Sequence, residues 1–123
     1  MSNAQATQAL VERWARFYNE DVTRMVREID APDCQVYPLG LGMIEGQAKL
    51  QQVEDAVLVQ APHRRLDVIR THIAGDTACV EAELRDPDRG AKWSVRFIAI
   101  LTIRDDRVTI DRTYADWSRW PGL

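Results

Sequence analysis

Cysteine and histidine are scarce in this sequence, with two of each among 123 residues. Cys34 and Cys79 stand in no Cys-x-x-Cys spacing, and His63 and His72 lie away from both. That excludes a disulfide framework and any recognisable zinc pattern. No metal and no cofactor is expected, and a reduced, cytoplasmic protein is the default reading. No apolar run approaches the roughly 20 residues of a membrane span. The N-terminus lacks the charged-then-apolar layout of a secretory signal. Positive charge is not in excess either. Against 19 Asp+Glu there are 16 Lys+Arg, a formal charge of −3, so nucleic acid is not an expected partner. The glycine-rich stretch LGLGMIEG (39–46) has no GxxxxGK[ST] lysine and is no phosphate loop. Without a repeat, a linker or a low-complexity tract, residues 1–123 read as one domain.

What is present is periodicity. In TQALVERWARFYNE (7–20), Leu10, Trp14, Phe17 and Tyr18 form one stripe of an amphipathic helix. Asp21 is placed to cap a second, short helix carrying Val22, Met25, Val26 and Ile29, which Pro32 stops. CQVYP (34–38) reads as a short strand. A third helix is predicted from Gly46 to about Val59, with Leu50, Val53, Ala56 and Val57 on one face.

After Pro62 the period shortens to two. RLDVIRTHI (65–73), ACVEAELR (78–85), KWSVRFIAILTI (92–103) and VTIDRTYADW (108–117) read as four strands. A hairpin through PDRG (87–90) pairs Arg85 with Lys92, Leu84 with Trp93 and Glu81 with Arg96. At RDDR (104–107) a two-residue loop sets Ile103 opposite Val108. A bulged loop would flip the parity of the last strand, and the sequence leaves both open.

Helices first, then long strands, is an α+β order. The combination of FYNED, a glycine opening the third helix at Gly46, and the closing IRDDRVTIDRTYAD resembles the nuclear transport factor 2-like superfamily, and within it the SnoaL-like proteins. The resemblance implies a cone-shaped α+β barrel, a strongly curved antiparallel sheet wrapped around three N-terminal helices. It implies a pocket at the open end, lined by the last strand. Members include steroid isomerases, epoxide hydrolases, polyketide cyclases and non-catalytic binding modules, so fold alone does not name a reaction. The isomerases' general-base aspartate falls at Tyr37 or Pro38. The epoxide hydrolases' Arg-x-Asp falls near Glu83 and Arg85, and their second Asp at Thr113. Neither reaction is therefore expected.

The candidate ligand-binding residues are Tyr37, Met43, Tyr114 and Asp116 at the mouth, with Trp14 and Tyr18 deeper. The ligand they suit is small, mostly hydrophobic and oxygen-bearing. Candidate acid–base groups are Glu83, Arg96 and Asp116, although the alternating charge of Glu81, Glu83 and Arg85, with Arg96 across the hairpin, favours an ion-paired wet face. Asp111 and Arg112 are further candidate partners of a ligand, and His72 is a better pocket candidate than His63. The alternative is a non-catalytic binding or dimerisation module whose pocket is filled. A homodimer through the outer sheet face is expected, because Ile98, Ile100 and Ile103 make the long strand apolar on both faces.

Overall fold

A computed structural model describes residues 3–123. Helix α1 (Asn3–Glu20) buries Thr7, Leu10, Val11, Trp14, Phe17 and Tyr18. Asp21 accepts a hydrogen bond from the Arg24 N–H and caps α2 (Val22–Arg24), which runs on as a π-turn over Met25–Ile29. The backbone N–H of Asp30 closes that turn onto the Met25 carbonyl, and β1 (Asp30–Pro38) begins there. A two-residue strand β2 (Ile44–Glu45) precedes α3 (Gly46–Gln60). Gly46 has φ +83°, the left-handed region that favours glycine, and this lets the strand turn straight into the helix. Then come β3 (Arg65–Ala74), β4 (Thr77–Arg85), β5 (Ser94–Arg104) and β6 (Arg107–Ala115).

The six strands form one sheet in the order β2-β1-β6-β5-β4-β3. The α+β class and the layout of helices within a sheet hold, but the sheet is open and mixed rather than wholly antiparallel. β1 lies parallel to β6, with Val36 opposite Asp111 and Pro38 opposite Thr113. All other pairs are antiparallel.

Two registers differ from expectation. Arg85 pairs with Ser94, Leu84 with Val95 and Glu83 with Arg96, two residues beyond the predicted hairpin. The connection is longer because Asp86 accepts from the Asp88 N–H and the Arg89 guanidinium, closing a 3-10 turn at Pro87–Arg89. A shift of two preserves which face each side chain occupies. At the β5–β6 turn, Asp105 and Asp106 hold φ +53° and +59°, as a two-residue hairpin loop requires. Ile103 is therefore opposite Val108, while Thr102 is opposite Ile110. Thr109 is left over. The parity flip occurs one step inside the strand rather than in the loop.

The core is continuous from α1 and α2 onto the sheet's inner face, through Ala78, Val80, Ala82 and Leu84 of β4 and Phe97, Ala99 and Leu101 of β5. Ile103 belongs to this inner face and is buried, not beside Ile98 and Ile100 as expected. Asn19 ties α1 to the sheet through two bonds with the Leu66 backbone, donating at 2.9 Å and accepting at 2.7 Å.

Candidate functional site

Between α3, α1 and the inner face lies a cavity of about 80 Å³. Its walls are apolar: Trp14, Leu50, Val53, Val57 and Phe97, with Trp117, Trp120 and Leu123 across the mouth. Into this wall project three carboxylates, Asp30, Glu54 and Asp111.

Each reaches the interior for a local reason. Asp30 is the first residue of β1, opposite buried Val108, and is 2% exposed. Its backbone carbonyl accepts from Gln47 and Arg107, but its carboxyl Oδ2 has no hydrogen-bond partner among the described residues. Glu54 follows Leu50 by four residues and precedes Val57 by three, so helical spacing puts it on the buried stripe. Ala56, expected on that face, is exposed instead. Glu54 Oε2 is likewise buried and unpartnered among the described residues. Asp111 faces inward because the Thr109 bulge sets it opposite core Leu101, and it accepts from the Thr113 hydroxyl at 2.6 Å.

Burial raises all three pKa values. The Asp30 carboxyl lies well above the usual carboxylate range, through desolvation and then the charges of Asp111 and Glu54, with Arg107 opposing. Desolvation likewise pushes Glu54 up to about 7, against the pull of Arg64. Asp111 is pushed up to about 6 by desolvation, against its Thr113 bond. Burial thus favours the protonated form of each of the three, and Glu54 is the one brought close to neutral pH.

Tyr18 is buried on the same wall. Its hydroxyl oxygen accepts from Arg64 Nε at 3.1 Å, its backbone carbonyl accepts from Arg64 Nη2 at 3.2 Å, and the guanidinium lies 4.1 Å from the ring centre. Burial and the charge of Glu54 raise the phenol's pKa, so Tyr18 is a proton-bearing donor.

Of the residues singled out in the sequence, Trp14 and Tyr18 line the cavity. Tyr37 lies on the outer face, donating to Gln35 at 3.2 Å with the Arg112 guanidinium 5.8 Å from its ring. Met43 is 45% exposed and Tyr114 52% exposed. Asp116 is exposed and caps a 3-10 turn at Trp117–Arg119, accepting from the Ser118 N–H and hydroxyl. The inward parity that would have carried Tyr114 and Asp116 to the cavity is what the bulge reverses. Glu83 and Arg96 pair at 3.3 Å on the outer face, where Arg85 also reaches Glu83 at 2.7 Å. His72 meets Glu81 at 3.1 Å and His63 meets Asp88 at 2.7 Å, both exposed and away from the cavity. Asp30 and Glu54 are not among the residues that the sequence singles out.

The C-terminal segment closes the cavity. The Trp117 indole donates to the Leu39 carbonyl at 2.9 Å. Trp120 packs edge-on to Phe97 and against Trp117, each at 5.2 Å between ring centres.

The chain matches the SnoaL-like domain family over residues 11–110. It belongs to that family. No curated protein matches it. Among solved structures it is similar to a candidate SnoaL-like polyketide cyclase from Jannaschia sp. CCS1, with TM-score 0.80 and 16% identity over 94% of this chain and 88% of that one. It is similar to a candidate ketosteroid isomerase from Kribbella flavida DSM 17836, with TM-score 0.77 and 18% identity over 94% and 82% of the two chains. An LEH-like epoxide hydrolase from M. tuberculosis gives TM-score 0.73 and 16% identity over 95% and 87%. Identities this low speak to the fold alone. No helix among the described residues is long and apolar enough to cross a membrane.

Proposed function

We propose that the cavity binds a small, mostly hydrophobic, oxygen-bearing molecule and moves a proton on it, as an isomerase- or cyclase-type enzyme does. One observation carries this reading: Asp30 and Glu54 each hold a buried carboxyl oxygen with no partner among the described residues, in an apolar cavity they share with Asp111. Such groups destabilise a fold unless a ligand uses them. Glu54, near 7, is poised to take a proton and return it at neutral pH. Protonated Asp30 and the Tyr18 hydroxyl can donate to an oxygen on the ligand, steadying the negative charge that forms there. Trp14 and Phe97 supply the apolar contact. The relatives' names agree with proton-transfer chemistry of this kind, and substrate identity is a question for experiment.

The competing reading, a binding module with a filled interior, draws on the cavity's size. About 80 Å³ is well below the roughly 300–1,000 Å³ of ordinary ligand pockets. Admission of a larger ligand then needs the Trp117–Leu123 segment to move aside. Tryptophan fluorescence titrated with small aromatic polyketide-like and terpenoid ketones tests the choice. Ligand binding predicts a saturable response that Trp14→Ala removes and Tyr37→Phe leaves intact. A silent panel supports the filled module.

We also propose the homodimer through the outer face, where Ile69, Ile98 and Tyr114 are exposed between Arg70, Glu81 and Arg96. Sedimentation at micromolar concentration is expected to exceed the 14.1 kDa monomer.

A further inference from the structure

The three cavity carboxylates differ in what balances their charge. Arg107 acts on Asp30 and Arg64 acts on Glu54. Among the described residues Asp111 forms no ion pair, and the side-chain hydrogen bond it accepts comes from the neutral Thr113 hydroxyl. The adjacent Arg112 is turned to the outer face, over Tyr37. A carboxylate in an apolar wall with no counter-charge is costly, and a cation brought by the ligand would remove that cost. The walls around the cavity are aromatic: Trp14, Tyr18, Phe97, Trp117 and Trp120. Aromatic faces attract a desolvated organic cation. A second observation points to a polar occupant. Asp30, 2% exposed, lines the same cavity with Oδ2 unpartnered.

We propose that Asp111, among these aromatic side chains, anchors a protonated amine on the ligand. The ligand is thereby an amine-bearing molecule whose oxygen end meets Asp30 and Tyr18. This rests on the reading of the cavity as a ligand site. The ammonium N–H groups donate to Asp111 Oδ2, and its alkyl substituents lie against the indoles. Asp111 holds the ligand while Glu54 handles the proton.

The test compares two probes of one shape, cyclohexylamine in its protonated form and cyclohexanol, by tryptophan fluorescence at pH 7.5. Wild type is expected to bind the ammonium about tenfold more tightly than the alcohol. Asp111→Asn, which keeps the shape, is expected to bring that ratio to about one while cyclohexanol still binds. A wild type that binds cyclohexanol as well as or better than the ammonium overturns the amine proposal and leaves the ligand site standing. So does an ammonium preference that survives in Asp111→Asn. Failure of both probes, with a silent ketone panel, overturns the ligand site as well. The wild-type ratio decides even where the variant is unstable.

Discussion

Asp111 stands opposite Leu101 in the β5–β6 ladder, and that pairing decides which face of the last strand the cavity receives. The turn at Asp105–Asp106 alone would set Ile110 there. The extra residue, Thr109, shifts the ladder by one, turning Asp111 and Thr113 inward and Arg112 and Tyr114 outward. Its hydroxyl bonds back to the Thr102 carbonyl at 3.2 Å and helps hold the bulge. Deleting Thr109 is expected to prevent stable folding, since it would drive Arg112 and Tyr114 against the core. Thr109→Ala, which removes one hydrogen bond, is expected to cost only about 1 kcal/mol. Urea denaturation of the pair checks this, and equal stabilities would refute the role of the bulge.

The raised pKa of Glu54 fixes a stability profile. Its folded pKa, about 7, exceeds that of the unfolded chain. Between those values the unfolded state gives up its proton first, so this group lowers stability as pH rises. Below about pH 4 both states are protonated and the effect vanishes. Glu54→Gln is thus expected to match wild type near pH 4 and to exceed it near pH 8, by on the order of 2 kcal/mol. Thermal melts across that range read the difference, and a variant less stable at pH 8 would contradict the assignment.

The closing segment rests on Gly122. Its φ is +79°, and a Cβ there would come within 2.7 Å of the Ala56 carbonyl oxygen. Gly122→Val is expected to lift the segment off α3 at a cost of about 1–3 kcal/mol. Acrylamide should then quench Trp117 and Trp120 more strongly, and ligands should enter faster. Unchanged quenching would mean that the mouth is closed by other contacts.

Arg64 is a buried cation held by Tyr18 rather than by an ion pair. Tyr18→Phe removes its Nε acceptor and is expected to cost roughly 1–3 kcal/mol, more than Tyr37→Phe on the outer face. Chemical denaturation measures both.

The fold was legible because it is written in periods: the stripe from Leu10 to Tyr18, the alternation from Ala78 to Leu84, and Gly46 at a helix start. The site was half legible. Trp14 and Tyr18 follow from the stripe they sit on. Glu54 was hidden because an apolar face can be drawn through Ala56 as easily as through Glu54, and only the tertiary packing of α3, which leaves Ala56 exposed, chooses. Asp30 was hidden by the π-turn, which sets where β1 begins. Tyr114 and Asp116 were placed by a parity that one unpaired threonine reverses, and local sequence does not mark that threonine.

The central claim is that Glu54 transfers a proton in this cavity while Asp30 donates a hydrogen bond to the ligand's oxygen. Deuterium incorporation next to the carbonyl of a small cyclic ketone, followed by NMR in D2O near neutral pH, tests it most directly. The account predicts exchange faster than buffer with the wild-type protein, and a fall of about 10²–10⁴-fold in Glu54→Gln. Exchange at the buffer rate for ketones that demonstrably bind, or an undiminished rate in the variant, would contradict it.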